Sequence, residues 1–258
     1  MKPSINIIKV GGAVVEDPAS LQVLLTQFSA VPGPKVLVHG GGRSATAMAA
    51  RLGIETTMIG GRRVTDSAML EVVTMVYGGL VNKHIVAQLQ AAGITALGLT
   101  GADLDSIRST RRPATPVDYG FVGDVQQVNG QALSQLIEAG FVPVMAPLTH
   151  DGRGQLLNTN ADTIAGEVAK GLTPYYDVTL TYCFEKKGVL GNPDDDDSVI
   201  PIITPDTFRV LVADGTVSGG MLPKLQNAFS ALDAGVGRVV ITSAAYLTGG
   251  TLITNTRY

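Results

Sequence analysis

Lys9 and Lys224 are the two residues whose settings ask for a chemical explanation. Lys9 follows Ile5, Ile7 and Ile8 in "NIIKVGGAVVED" and stands just before the pair Gly11-Gly12. Lysine is among the side chains least often buried without a partner. Glycines after a strand let the backbone come close to another group. Lys224 stands in "VSGGMLPKLQNA", behind Gly219-Gly220 and beside Pro223, a residue suited to the first turn of a helix. A cation near a helix start opposes the helix dipole unless an anion is close by. Two ammonium groups and bare amides of this kind suit a negatively charged group.

Other stretches could join them. "VLVHGGGRSATA" puts Gly40–Gly42 between an apolar run and a helix-like segment. That places N–H groups at a helix N-terminus, an arrangement that binds anions, although a tight turn looks the same. The chain has neither the G-x-x-x-x-G-K-[ST] loop nor a G-x-G-x-x-G segment followed by an acid on the next strand. "GGRRVTD" offers Arg62 and Arg63, either a solvated loop or a fork for a carboxylate. "LLNTNADTIAGEVA" clusters Asn158, Asn160 and Asp162 at a helix start. Asn160 reads as the cap; two asparagines and an aspartate are more than one cap requires. His39 is read as structural, and His84 and His150 lie in no motif.

The elements that must position these residues alternate. Strands are predicted at 5–10, 35–39, 94–99, 142–147, 178–184 and 238–242, and helices at 19–28, 44–52, 67–91, 130–139, 161–170, 204–213 and 223–234. This is the pattern of βαβ units and a largely parallel sheet, whose ligands sit at the C-terminal strand ends. "DSIRSTRRPATPVDY" (105–119) reads as a loop or short hairpin, and "NPDDDD" (192–197) as a solvated turn.

Composition narrows the class. The net charge of -3, with no basic block, argues against a nucleic-acid partner. The single cysteine, Cys183, excludes an internal disulfide and fits a reducing compartment. No apolar run reaches the ~18 residues of a membrane span. A cytoplasmic protein is expected.

"IIKVGG", "VHGGG", "GRRVTD", "LLNTNAD" and "GGMLPK" occur in the order and spacing of the amino acid kinase family, with echoes in "VNK", "GFVGDV" and "EAGFVPV". The chain resembles this family over nearly its whole length. Within it, the chain is most similar to the members that phosphorylate the γ-carboxylate of N-acetyl-L-glutamate in arginine biosynthesis. The resemblance implies an open, mostly parallel α/β sheet sandwiched by helices. It implies an N-terminal lobe, 1–172, for the acyl-amino acid and homodimerisation, and a C-terminal lobe, 173–258, for ATP. ATP and Mg²⁺ are implied, the ion held mainly by the phosphates and with no dedicated protein ligands.

By the same resemblance, Lys9 and Lys224 neutralise the moving phosphoryl group and Asp162 orients them. Gly11, Gly12, Gly41 and Gly42 supply amides, and Arg63 and Asn158 bind the substrate. The nucleotide is expected at Glu185, Lys186, Lys187, Gly188, Val189 and Leu190, and at Thr216, Val217 and Ser218. Three departures matter. "FEKKGVL" replaces the family's Asp-Val-x-Gly-Val stretch. Arg62 replaces an apolar residue, which suggests either a solvent-facing side chain or an acyl group with its own carboxylate, such as succinyl. Only eight residues precede Lys9, about two helical turns at most, so a dimer insensitive to arginine is expected. The rival of another class is a non-catalytic amino acid sensor, which would not need Lys9, Asp162 and Lys224 together.

Overall fold

Ile5, Ile7, Ile8 and Val10 are all buried, because the strand that carries them lies in the middle of a sheet covered on both faces. The structure is a computed structural model, which describes residues 2–255. Residue 1 and residues 256–258, the outer ends of the two expected lobes, lie outside the described residues.

The chain begins with β1 (Ser4–Val10), α1 (Gly12–Glu16), α2 (Pro18–Ala30), β2 (Lys35–His39) and α3 (Gly42–Arg51). A hairpin follows, β3 (Met58–Ile59) with β4 (Arg62–Arg63). The helix expected over 67–91 is one run in three parts: α4 (Ser67–Val73), a π-helical stretch (Thr74–Val81) and α5 (Asn82–Ala91). Next come β5 (Ala96–Leu99), β6 (Ile107–Arg111), β7 (Gly123–Val128), α6 (Gly130–Glu138), β8 (Val142–Met145), β9 (Leu148–His150), β10 (Leu156–Asn158) and α7 (Ala161–Leu172). The last part holds β11 (Asp177–Phe184), β12 (Ile202–Ile203), α8 (Pro205–Ala213), α9 (Met221–Asp233), β13 (Arg238–Ser243) and β14 (Thr251–Ile253).

The main sheet has eight strands in the order β12-β14-β13-β11-β1-β2-β8-β5. It is parallel from β13 to β5, and β14 runs antiparallel to β13. The α/β expectation therefore holds. The sheet does not break between the expected lobes, since β1 pairs with β11 in register from Ser4–Asp177 to Val10–Cys183. A second sheet, β10-β9-β6-β7, absorbs the polar stretch expected as a loop or short hairpin: β6 pairs antiparallel with β7.

Alternation along β1 sorts its side chains between two cores. Ile5 and Ile7 join the cluster under α7 and α9, while Ile8 and Val10 join the one under α2, α3 and the long helical run. By that alternation Lys9 emerges on the face of Ile5 and Ile7.

Candidate active site

Lys9 reaches the N-terminus of α7. Its Nζ stands 2.7 Å from Asp162 Oδ1. The contact is an ion pair set off the hydrogen-bond direction, which leaves the buried Oδ1 without an aligned donor. The turn before α7 has three residues with three tasks. Asn160 caps the helix, accepting from Asp162 N at 2.7 Å and Thr163 N at 3.3 Å. Asn158 Nδ2 donates to Thr65 Oγ1 at 2.9 Å. Asp162, its own backbone held by the cap, turns its carboxylate to Lys9.

Lys224 arrives from the other side, on the first turn of α9. Its Nζ lies 3.7 Å from the centroid of the Phe184 ring, and Lys9 Nζ lies 5.2 Å from the same centroid. Two residues far apart in sequence thus place their ammonium groups over one aromatic ring at the C-terminal end of β11. Burial holds Lys224 below the usual lysine range. The Asp162 carboxylate opposes that shift, the Lys9 ammonium adds to it, and Glu185 opposes it.

The glycine loops stack backbone on backbone. A Cβ on Gly40 would lie 3.1 Å from Gly12 N, and one on Gly41 would lie 3.0 Å from the Tyr77 ring, which the π-helical stretch presents. Gly11 sits by the lysine, with a Cβ there coming to 4.0 Å of Lys9 Nζ. Glu16 joins the loops, its Oε1 accepting from Ser44 N at 2.7 Å at the start of α3. One of the amides that could have met an anion is therefore already used.

A cavity of about 350 Å³ opens beside these groups, lined by Gly12, Gly40–Gly42, Arg62, Arg63, Asn158 and Asp162 among others. Arg63 is 9% exposed. Its Nη2 donates to Gly42 O at 2.7 Å and Thr46 Oγ1 at 2.8 Å. No carboxylate among the described residues pairs with it. A guanidinium this buried needs an anion to offset its desolvation, and the cavity is where one can come from. Arg62 is an exposed residue on the cavity wall with no acidic partner among the described residues. Arg112, also on the wall, is held by Asp124, its Nε donating at 3.0 Å.

The residues expected around the nucleotide are not gathered as a set of side chains. Lys186 Nζ is 2.6 Å from Asp196, and Lys187 Nζ is 3.0 Å from Asp197. The acid run and the two unusual lysines are thus one feature, a pair of exposed ion pairs closing the turn. Val189 and Val217 belong to the core, and their amides donate to Thr251 Oγ1 and Leu211 O. A Cβ at Gly188 would lie 2.7 Å from Thr251 Oγ1, and Leu190 bridges Val199. In this conformation, then, the side chains and N–H groups of Val189 and Val217 have structural roles. Thr216 and Ser218 flank Val217 in the loop before α9, and Glu185 alone of this group faces Lys224. Sequence reasoning missed Phe184, Glu16, Tyr77 and the Arg112–Asp124 pair. Phe184 gave no signal, being an aromatic at a strand end like many core residues.

His39, fully buried, shares its Nδ1 with Gly40 O at 2.8 Å and its Nε2 with Asn82 Nδ2 at 3.1 Å. Burial, with the Lys83 charge adding and the Gly40 bond opposing, brings it down to about 4. The ring is therefore neutral and fixes the glycine loop. The unfolded chain takes up this proton near pH 6.5, before the native state does. Stability from this residue is complete above that pH and is lost as pH falls toward 4, by about 3 kcal/mol in all. Denaturant unfolding of wild type and His39→Gln should diverge in slope over that window. Parallel pH dependences would refute the neutral assignment.

Residues 4–243 match the model of the amino acid kinase family. The chain is 64% identical to the acetylglutamate kinase of Phocaeicola vulgatus over 250 residues, 97% of each chain. It superposes on a solved structure from Streptococcus mutans with a TM-score of 0.80 at 28% identity, covering 98% of this chain and 99% of that one. It also superposes on carbamate kinase from Giardia lamblia bound to AMP-PNP, with a TM-score of 0.69 at 15% identity over 98% and 99% of the two chains. That last likeness concerns the fold alone.

Proposed function

The chain belongs to the amino acid kinase family, and from that premise we propose that its site transfers the γ-phosphoryl group of ATP to the γ-carboxylate of N-acetyl-L-glutamate. The product is N-acetyl-L-glutamyl 5-phosphate, an intermediate of arginine biosynthesis. The observation that carries the reading is the convergence of Lys9 and Lys224 on one ring, with Asp162 paired to Lys9 and its charge felt by Lys224.

Phosphoryl transfer spreads negative charge over the moving group and its flanking oxygens, so catalysis is mostly positioning and charge stabilisation. Lys9 and Lys224 supply two positive charges aimed at one region, and Asp162 fixes the aim of Lys9. Gly11, Gly12, Gly41 and Gly42 let the transferring group approach the backbone. Arg63 receives the α-carboxylate, and Asn158, anchored to Thr65, meets the acyl-amino group. The acceptor needs no general base: a γ-carboxylate with a pKa of about 4.3 is already ionised at neutral pH. That agrees with a neutral, fully engaged His39.

Among the described residues no cluster of three acidic, His or Cys side chains could hold a metal by itself, and Asp162 already pairs with Lys9. On this reading Mg²⁺ would be carried mainly by the phosphates, whose charge it would offset. Homodimerisation through the N-terminal lobe is supported by Met75 and Leu80, exposed on the π-helical stretch; light scattering that reports a monomer would oppose it. On the same reading the lobes would divide at 172/173, where α7 ends.

Trapping the acyl phosphate with hydroxylamine tests the reading. ATP-dependent hydroxamate from N-acetyl-L-glutamate is expected; none, with binding retained, would make the protein a sensor instead. Arg62 favours a second acceptor, N-succinyl-L-glutamate, because an unpaired guanidinium on the cavity wall suits a second carboxylate. On that reading Arg62→Leu lowers kcat/KM about tenfold for the succinyl substrate and leaves the acetyl one unchanged, one charge-assisted contact being worth ~1.5 kcal/mol. A preference for acetyl that is the same in both proteins removes the idea.

A further inference from the structure

We propose that Phe184 is a positioning residue for the phosphoryl transfer, its ring face holding the Lys9 and Lys224 ammonium groups together before the nucleotide arrives. The proposal rests on the kinase reading above. The site brings two like charges to one place. Among the described residues a single ion pair, Lys9 with Asp162, offsets them directly. Without phosphates, Lys9 and Lys224 repel each other, and the cheapest response is for the more exposed Lys224 to swing out to water.

The ring opposes that motion. Its negative π face attracts a cation within about 6 Å of the centroid. At 3.7 Å and 5.2 Å both ammonium groups lie inside that limit. The ring itself is braced. It is stacked at 6.1 Å and 11° on Tyr182, two residues earlier on the same face of β11, and Tyr182 is almost wholly buried in the main core. The Tyr182 hydroxyl stands 3.5 Å from the Asp162 carbonyl oxygen. One strand face therefore carries the aromatic pair, and the start of α7, which supplies the carboxylate, rests on its inner member. Phe184 occupies the last position of β11, where the strand opens on the site. Phe184 also packs against the main core, but core packing by itself does not call for two ammonium groups over the ring.

The charged groups facing Lys224 are Asp162 from α7, Lys9 from β1 and Glu185 from the turn after β11. The ring adds to the two acids in favouring the charged amine. Its removal should let Lys224 lose its proton at lower pH.

Phe184→Leu keeps an apolar side chain without the π face. It should lower kcat about tenfold, leave KM for the acyl-amino acid in place, and move the alkaline limb of kcat to lower pH. Phe184→Tyr should restore both. Should the leucine protein fold poorly, fluorinated phenylalanines at position 184 keep the shape of the ring and weaken its π face stepwise. In those proteins kcat should fall with each added fluorine while the melting temperature holds. Equal kcat and an equal alkaline limb across the set would overturn the proposal. Lysine side-chain NMR reads the contact without turnover, through ring-current shifts present in wild type and absent in Phe184→Leu. Shifts without any ATP-dependent hydroxamate would sink the kinase reading; turnover indifferent to the ring would sink this one.

Discussion

Lys224→Met is expected to lower kcat by about a thousandfold, with KM for the acyl-amino acid within a fewfold of wild type. Methionine keeps the length and apolar stem of the side chain, so its packing near Phe184 survives. What disappears is one positive charge aimed where charge develops in the transition state. The loss of a single such donor typically slows a reaction by 10²–10³, and at ~1.36 kcal/mol per tenfold the upper figure is about 4 kcal/mol. Lys224 is the cleaner of the two lysines to replace. Lys9 is buried against Asp162, and its removal would also orphan that carboxylate, so lost rate and lost stability would be mixed. Steady-state kinetics by hydroxamate formation, with a thermal melt of each protein, checks the prediction. A kcat within threefold of wild type would end the assignment of Lys224 to the phosphoryl group.

The second large effect belongs to Arg63. Arg63→Met should raise KM for the acyl-amino acid about a hundredfold while kcat changes far less. In the ligand-free protein Nη2 donates to Gly42 O and Thr46 Oγ1 and Nη1 to Thr56 Oγ1, so the substrate carboxylate engages the fork by taking over some of these hydrogens. Two charge-assisted hydrogen bonds formed in this way are together worth about 3 kcal/mol. The ligand-free protein should melt near the wild-type temperature. It loses the bonds to Gly42 O, Thr46 and Thr56, and it also sheds a buried cation that has no acidic partner among the described residues. The ligand-induced rise in melting temperature, which follows from binding the native state alone, should vanish. Arg63→Lys should rescue little, because an ammonium cannot form the planar fork. An unchanged KM, or a ligand-induced shift that persists, would place the substrate carboxylate elsewhere in the cavity.

Much of the frame was legible along the chain. The central strands are near-continuous apolar runs because helices cover both faces, and 35–39 matches β2 residue for residue. The helix over 67–91 was read as one run, and it is one. Its π-helical centre was not readable, since it arises where Tyr77 and Gly78 pack against Gly41, Thr100 and Leu148. Of the second sheet, β6 fell in the stretch read as a loop or short hairpin, while β7, β9 and β10 were hidden because they are short and take their order from partners remote in sequence. The lysines of "FEKKGVL" and the acids of "NPDDDD" looked like separate oddities. Their pairing across a turn is a contact at a separation of ten residues, which no local pattern encodes.

By itself the sequence determined the chemistry on offer: which side chains are charged, which strand ends carry glycine, and which strand faces are apolar. Those follow from residue type and from periods of 2 and 3.6, and both are local properties. Only the tertiary structure decided which groups meet. The parallel pairing of β1 with β11 sets Lys9 beside Tyr182 in register, and alternation then turns both toward the face of α7 and α9. The packing of those helices on that face brings Asp162 and Lys224 to Phe184. A meeting of four residues from four elements depends on strand order and helix docking, and neither is written in any single stretch of chain.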